Sequence, residues 1–136
     1  MYSYGYGEFG ALGHGGMIET NIPKQISRLS NRKVIQLACG EFHTLALTVD
    51  LDLYSWGRGF EGQLGVRDDV DTASVPMSLA FFYKNPPTQI ACGAYHSLAI
   101  DGNGKLYTWG EARFGQLGNG KGVKEMTPIR VCLTLE

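Results

Sequence analysis

Hydrophobic and polar positions along this chain alternate in short runs. In Ile35-Gln36-Leu37-Ala38-Cys39, one face carries Ile35, Leu37 and Cys39, while the other carries the smaller or polar Gln36 and Ala38. Leu45, Leu47 and Val49 alternate with Thr44, Ala46 and Thr48 in the same manner. A period of two predicts β-strands. Asp101-Gly102-Asn103-Gly104 separates the apolar runs Ser97 to Ile100 and Lys105 to Trp109, and this turn signal predicts a hairpin. The equivalent turn earlier in the chain, Asp50-Leu51-Asp52, has no glycine. No stretch holds a helical period over ten residues; the nearest, Val75 to Lys84, runs into Pro86-Pro87, which stops it. The expected fold is all-β, with about four short strands per unit.

The units repeat. Tyr2-Ser3-Tyr4-Gly5 leads to Gly10-Ala11-Leu12-Gly13, and 52 residues later Tyr54-Ser55-Trp56-Gly57 leads to Gly62-Gln63-Leu64-Gly65. After another 53, Tyr107-Thr108-Trp109-Gly110 leads to Gly115-Gln116-Leu117-Gly118. Between them, Ala38-Cys39-Gly40-Glu41-Phe42-His43-Thr44-Leu45-Ala46-Leu47 returns as Ala91-Cys92-Gly93-Ala94-Tyr95-His96-Ser97-Leu98-Ala99-Ile100. Prolines 23, 76 and 128 keep step. The expected organisation is repeats of about 2–53 and 54–106, then a third, 107–136, that stops short.

Composition then becomes intelligible. The 19 glycines are roughly double the usual ~7% of a chain of 136 residues, and the repeat places all of them. Eleven fall in the aromatic-Gly to Leu-Gly segments, four at Gly15, Gly16, Gly120 and Gly122, two in the Cys-Gly steps and two in the turn at Gly102 and Gly104. A net charge of -1 argues against a nucleic-acid-binding stripe. No apolar run approaches the ~18 residues of a membrane span, and Met1 to Gly10 lacks the regions of a signal peptide. Three cysteines, an odd number, suit reduced thiols. An intracellular protein, cytoplasmic or nuclear, without membrane or direct nucleic-acid contacts is expected.

An all-β period of about 50 residues with an aromatic motif per unit marks a propeller blade. The motifs quoted above resemble those of the regulator of chromosome condensation repeat family. Its blades carry an aromatic-Gly step, a Gly-Gln-Leu-Gly turn and a small-small-Gly-x-x-His-Ser/Thr-apolar-Ala-apolar stretch. Here those are Trp56-Gly57 and Trp109-Gly110, Gly62 to Gly65 and Gly115 to Gly118, and the stretches with Cys39, Gly40 and His43 and with Cys92, Gly93 and His96. The first copy departs from the pattern at Tyr4 and Ala11. The resemblance implies a seven-bladed propeller of four-stranded antiparallel sheets, of which about two and a half blades are present. An incomplete arc leaves sheet edges and blade faces bare, so association with itself or with further blades of a longer polypeptide is expected.

Shorter matches mislead. Gly5-x-Gly7-x-x-Gly10 and Gly57-x-Gly59-x-x-Gly62 have dinucleotide-binding spacing, yet each leads into another loop rather than opening a helix. Gly115 to Lys121 reads as a phosphate loop until Gly122 replaces the hydroxyl residue. Two Cys-x-x-x-His pairs, Cys39 with His43 and Cys92 with His96, have zinc-type donors, but they occupy equivalent points on adjacent blades. The expectation is a small buried cysteine beside a histidine bonded to backbone, with no cofactor, metal or catalytic residue.

Positions that break the repeat are better candidates for partner binding. Phe81, Phe82 and Tyr83 replace Arg28, Leu29 and Ser30 of the sister unit, and alternation can bury only every other one. Asp68, Asp69 and Asp71 form an acidic loop containing the one-residue lengthening. Glu8, Arg58, Phe60, Glu61, Glu111 and Arg113 are variable positions within the glycine-rich turns. The leading expectation is a non-catalytic segment that presents loops to partner proteins. Two alternatives implied by the resemblance are guanine-nucleotide exchange on a small Ras-like GTPase and substrate recruitment for a ubiquitin ligase.

Overall fold

The structure, a computed structural model, describes residues 1–67 and 69–132. Its strands are β1 (Tyr2–Gly5), β2 (Thr20–Gln25), β3 (Val34–Cys39), β4 (His43–Thr48), β5 (Leu53–Arg58), β6 (Thr72–Ser78), β7 (Pro87–Cys92), β8 (His96–Asp101), β9 (Leu106–Gly110) and β10 (Glu125–Arg130). They form two four-stranded antiparallel sheets, β3-β4-β5-β6 and β7-β8-β9-β10, and one two-stranded sheet, β1-β2. The segment nearest to a helix in the sequence supplies the end of β6 and a single 3₁₀ turn, Ala80–Phe82. Each sequence period therefore straddles two blades: β1 and β2 match β5 and β6, the last two strands of a full sheet, and the Cys-Gly-x-x-His stretch is the first hairpin of the next.

Both hairpin turns after that stretch need one left-handed residue. Gly104 supplies it at φ +77°, and Leu51 takes the same place at φ +67° without being glycine. Each donates its backbone N–H to the residue three before it, Asp101 or Thr48.

The two full blades pack face to face. Leu45, Leu47, Leu53 and Leu79 of the first meet Ala99, Tyr107 and Trp109 of the second, with Phe82 of the connecting turn among them and Ile90 and Cys92 packed against the cluster. Full burial of such side chains is worth roughly 1.5–3 kcal/mol each. A second core joins the two-stranded sheet to the first full blade through Ile26, Leu29, Ala46, Trp56, Leu64, Val70 and Ala73.

The repeat motif is a set of latches across these seams. Trp56 Nε1 donates to the Ala11 carbonyl (3.0 Å), and Trp109 Nε1 donates to the equivalent Gln63 carbonyl (2.9 Å). Because the acceptor is backbone, the departure to Ala11 in the first copy does not break the latch. The next glycine must then have no side chain, since a Cβ on Gly65 lies 2.6 Å from Trp109 Nε1 and one on Gly13 lies 3.0 Å from Trp56 Nε1. Within each unit Ser3, Ser55 and Thr108 donate to the carbonyls of Leu12, Leu64 and Leu117.

His43 corrects one expectation. Its Nε2 lies 2.9 Å from the Ser97 hydroxyl on the next blade, and Ser97 in turn donates to the Gln63 carbonyl (2.8 Å). The histidine thus bonds a side chain across the seam rather than backbone. Its ring lies against Gly40, which explains that glycine. The cysteine expectation also needs correction, because Cys39 is exposed while Cys92 is half-buried. The reason is positional. Leu37 and Cys39 correspond to Ile90 and Cys92, but only the latter pair has a blade lying over it. Leu37 is consequently 53% exposed, and Ile35, set at a β-bulge between Val34 and Gln36, is 46% exposed. The opposite face of β3 is the one in the seam, where the Gln36 amide donates to the Thr88 carbonyl (2.6 Å) and accepts from the Ile90 N–H (3.2 Å).

Candidate interaction surface

Five loops from the three sheets meet at one end of the blades: the turn after β1, the β3–β4 turn, the loop after β5, the β7–β8 turn and the loop after β9. Backbone hydrogen bonds fix them to one another. Arg58 N donates to the Phe42 carbonyl, Glu111 N to the Tyr95 carbonyl and Glu41 N to the Ala94 carbonyl, at 2.9, 2.9 and 3.0 Å. Turns of this kind expose side chains that have no place in the seams.

At their centre stands Arg58. Its guanidinium carbon lies 4.8 Å from the Phe9 ring centroid, 5.1 Å from that of Phe60 and 5.7 Å from that of Tyr95. Phe42 continues the platform, 5.1 Å from Phe9 and 6.4 Å from Tyr6. Arg58 is held in place by a two-pronged pair with Glu61, Nε to Oε2 at 2.9 Å and Nη2 to Oε1 at 2.6 Å. These bonds hold the Glu61 carboxyl down to about 2, so the pair stays ionised. Gln63, buried, clamps the loop from beneath by accepting from the Glu61 N–H and donating to its carboxylate. Gln116 accepts from the Phe114 N–H in the same manner. The first copy has Ala11 there and no such clamp, and Phe9, equivalent to Glu61 and Phe114, takes a left-handed backbone at φ +57°. Such a conformation costs a bulky residue roughly 1–2 kcal/mol.

The sequence candidates divide. Arg58, Phe60 and Glu61 lie on the platform, with Glu8 in the same turn as Phe9. Arg113 is exposed beside it and stacks on Phe114 at 5.8 Å. Glu111 is corrected: it is 9% exposed, and its carboxylate accepts the N–H groups of Ala112 and Arg113, which shapes the loop rather than meeting a partner. Asp71 lies nearby, its carbonyl accepting from Gly59 N, and Asp69 pairs with Arg67 in full exposure. Asp68 lies outside the described residues. Phe81, Phe82 and Tyr83 sit at the opposite end, between β6 and β7. Phe82 is also corrected, since it is 2% exposed in the seam core against Tyr107 and Trp109 and is out of a partner's reach. Phe81 and Tyr83 remain exposed. Residues missed by the sequence reading are Tyr6, Phe9, Phe42 and Tyr95. The last two occupy the second variable place of Gly-x-x-His in both copies, and that coincidence was the available signal.

Among the described residues no group of three or more His, Cys, Asp or Glu is placed to hold a metal ion, and no helix is long and apolar enough to cross a membrane. The cavities around this end are open hollows on the surface rather than enclosed pockets, so what the platform offers is contact area.

Comparison with known proteins agrees with the blade geometry. A family model described as Regulator of chromosome condensation (RCC1) repeat matches residues 1–47, 52–100 and 103–135. The Ultraviolet-B receptor UVR8 of Arabidopsis thaliana is 40% identical over 134 residues, covering 98% of this chain and 30% of that protein. The E3 ubiquitin-protein ligase HERC2 of Homo sapiens is 37% identical over 131 residues, covering 96% of this chain and 3% of the ligase. Among solved structures, yeast RCC1 (Prp20) bound to Kap60 superposes with a TM-score of 0.87 at 28% identity, covering 98% of this chain and 33% of that one. Prp20p of Saccharomyces cerevisiae, described with its binding properties to Gsp1p and histones, gives 0.81 at 27% identity, over 98% and 34%. The chain thus spans about a third or less of the length of these proteins.

Proposed function

We propose that this chain, which belongs to the Regulator of chromosome condensation (RCC1) repeat family, is a non-catalytic arc of propeller blades that binds partner proteins through the platform around Arg58. The observation that carries this is the rigid grouping of Arg58 with Phe9, Phe42, Phe60 and Tyr95 at the loop end, from four loops of three sheets. Aromatic and arginine side chains dominate the energetics of protein contacts, and rigid ones lose little entropy on binding. His43, Cys92, Trp56 and Trp109 of the repeat motif are occupied by the seams.

A photo-crosslinking residue at position 60 of the intact chain tests this. Discrete protein adducts are expected, lost on Arg58→Ala and absent when the crosslinker stands at position 127 on β10. Equal adducts from both positions, or none, overturn the proposal. The likeness to Prp20p, described with its binding to Gsp1p and histones, favours a second reading in which a fully assembled propeller speeds nucleotide release from a small GTPase. Acceleration of release by this chain, across a panel of small GTPases, replaces the first reading with the second. Recruitment for a ubiquitin ligase, as the likeness to HERC2 suggests, requires co-purification with a ligase domain.

A further inference from the structure

The platform has a charge pattern as well as a shape. Arg58 is neutralised by Glu61, so its charge is unavailable to a partner. Glu8, Glu19 and Glu41 have no ion-pair partner among the described residues. They sit at opposite edges: Glu8 and Glu19 act on Tyr6, and Glu41 acts on Tyr95 and on Arg58. Both phenols titrate above the usual tyrosine range, Tyr6 mainly through its hydrogen bond to Glu8 and Tyr95 mainly through its hydrogen bond to Glu41. Among the described residues the cation at the border without an ion pair is Lys124, whose Nζ donates to the Phe60 carbonyl at 2.8 Å, while Arg58 and Arg113 are paired with Glu61 and Glu111. Three carboxylates without an ion pair against one ammonium leave the rim negative. Between these edges lie ring faces open to solvent, with Tyr6 62% and Phe60 41% exposed and Phe42 half-buried.

Open aromatic faces flanked by carboxylates are what an arginine or lysine side chain needs. The rings attract the cation through their quadrupole, and the acids pair with its charge. A nucleic acid is repelled by the same rim, as is a face-to-face copy of this chain. We propose that the platform seats a segment of a partner protein that carries a basic residue beside an aromatic one. The basic side chain lies across Tyr6 and Phe42 between Glu8 and Glu41, and the aromatic one packs on Phe60. This rests on the protein-binding reading above and names its partner's chemistry.

The test uses the intact chain and a fluorescein-labelled hexapeptide of alternating Arg and Phe, read by fluorescence anisotropy at low ionic strength. Arg–Ser and Glu–Phe hexapeptides serve as controls. Expected are saturable binding of the Arg–Phe peptide, weakening of at least about tenfold for Arg–Ser, and no binding of Glu–Phe. Glu8→Gln with Glu41→Gln together should weaken binding about five- to tenfold, the size of two partly exposed ion pairs, and 0.5 M salt should do the same to the unaltered chain. Phe42→Ala should also weaken it, whereas Phe81→Ala at the far end should not. The glutamine substitutions are on the surface, and unchanged thermal melting confirms that the fold is intact. Equal binding by the double glutamine variant, equal binding of Glu–Phe, or no binding of Arg–Phe overturns the proposal. If the position-60 crosslink persists in any of those cases, only the cationic chemistry has failed; if it too is lost, the protein-binding reading fails with it.

Discussion

Lowering the pH loads a defined weak point in the blade seam. His43 is 2% exposed, with its Nε2 against the Ser97 hydroxyl; because Ser97 gives its own proton to the Gln63 carbonyl, the ring presents Nε2–H and keeps Nδ1 unprotonated. Nδ1 is buried and has no hydrogen-bond partner among the described residues, so protonating it places a charge on a ring withdrawn from water. Burial above all, and then the neighbouring His96, hold the imidazolium form down to about 4, against 6.5 for a free histidine. The unfolded chain therefore binds the proton first as the pH falls, and stability is full above 6.5 and drains away toward 4. From these two values the loss is on the order of 1 kcal/mol at pH 5.5 and 2 to 3 kcal/mol at pH 4.5, levelling off somewhat above 3 at lower pH. His96 is shifted in the same direction by burial and adds to the trend. The depressed carboxyls, Glu61 and Asp101, act in the same sense but only as the pH falls below the ordinary carboxyl range, so the window from 7.5 to 5 isolates the histidines. Urea unfolding at half-unit steps across that window, with the slope m held common, reads the effect. His43→Gln should be less stable at pH 7.5, because the Ser97 contact is altered, yet flatter with pH than the parent. A flat profile for the parent, or an undiminished slope in His43→Gln, refutes the assignment.

Four further outcomes follow from the same contacts. Gly65→Ala and Gly118→Ala both place a side chain at positive φ, +69° and +67°, at roughly 1 kcal/mol each, but only the first also drives a Cβ to 2.6 Å from the Trp109 indole nitrogen, so by chemical denaturation it should be the more damaging by at least about 1 kcal/mol. Leu51→Gly, which relieves the left-handed turn residue at an exposed site, should raise stability by about 0.5–1 kcal/mol in the same assay, and a loss contradicts the turn assignment. In native protein, Ellman's reagent should find two fast thiols, exposed Cys39 and Cys132, and one slow one, Cys92, whose thiol is pushed up to about 12 by burial; three equal rates contradict the seam. Light scattering should show association that Leu37→Asp or Leu98→Asp abolishes without lowering the melting temperature, since both lie on faces without a covering blade; association that survives both places the contact elsewhere.

The seams were legible because they recur. A residue repeated every 52 or 53 positions must serve a unit that is itself repeated, so Trp56 and Trp109, the Leu-Gly turns and the two Gly-x-x-His stretches read as structural from the sequence. What alternation did not disclose is which face of a strand is covered. Leu37 and Ile90 have the same neighbours in sequence, and one is 53% exposed while the other is packed in the seam, because burial here depends on the next blade rather than on the strand's own pattern. For the same reason alternation did not say which of Phe81, Phe82 and Tyr83 is covered: Tyr107, which packs on Phe82 in the turn between β6 and β7, lies 25 positions away on β9.

The platform was hidden by a different obstacle. Its members come from four turns, and the strand-to-turn geometry that brings Phe9, Phe42, Arg58, Phe60 and Tyr95 within 4.8 to 6.1 Å contacts has no signature in any one turn. Repeat comparison points toward variable positions and found Arg58, Phe60 and Glu61, but it treats each unit alone. Here the units cooperate. Arg58 of one unit reaches Phe9 of the unit before it and Tyr95 at the turn of the blade after it, so the contact set crosses both seams. The latches at Trp56, Trp109 and His43 therefore bear on the platform directly: slippage of either seam moves a ring away from Arg58. Conditions that protonate His43 should then weaken binding at the platform before the chain unfolds, even though the histidine itself never touches the partner.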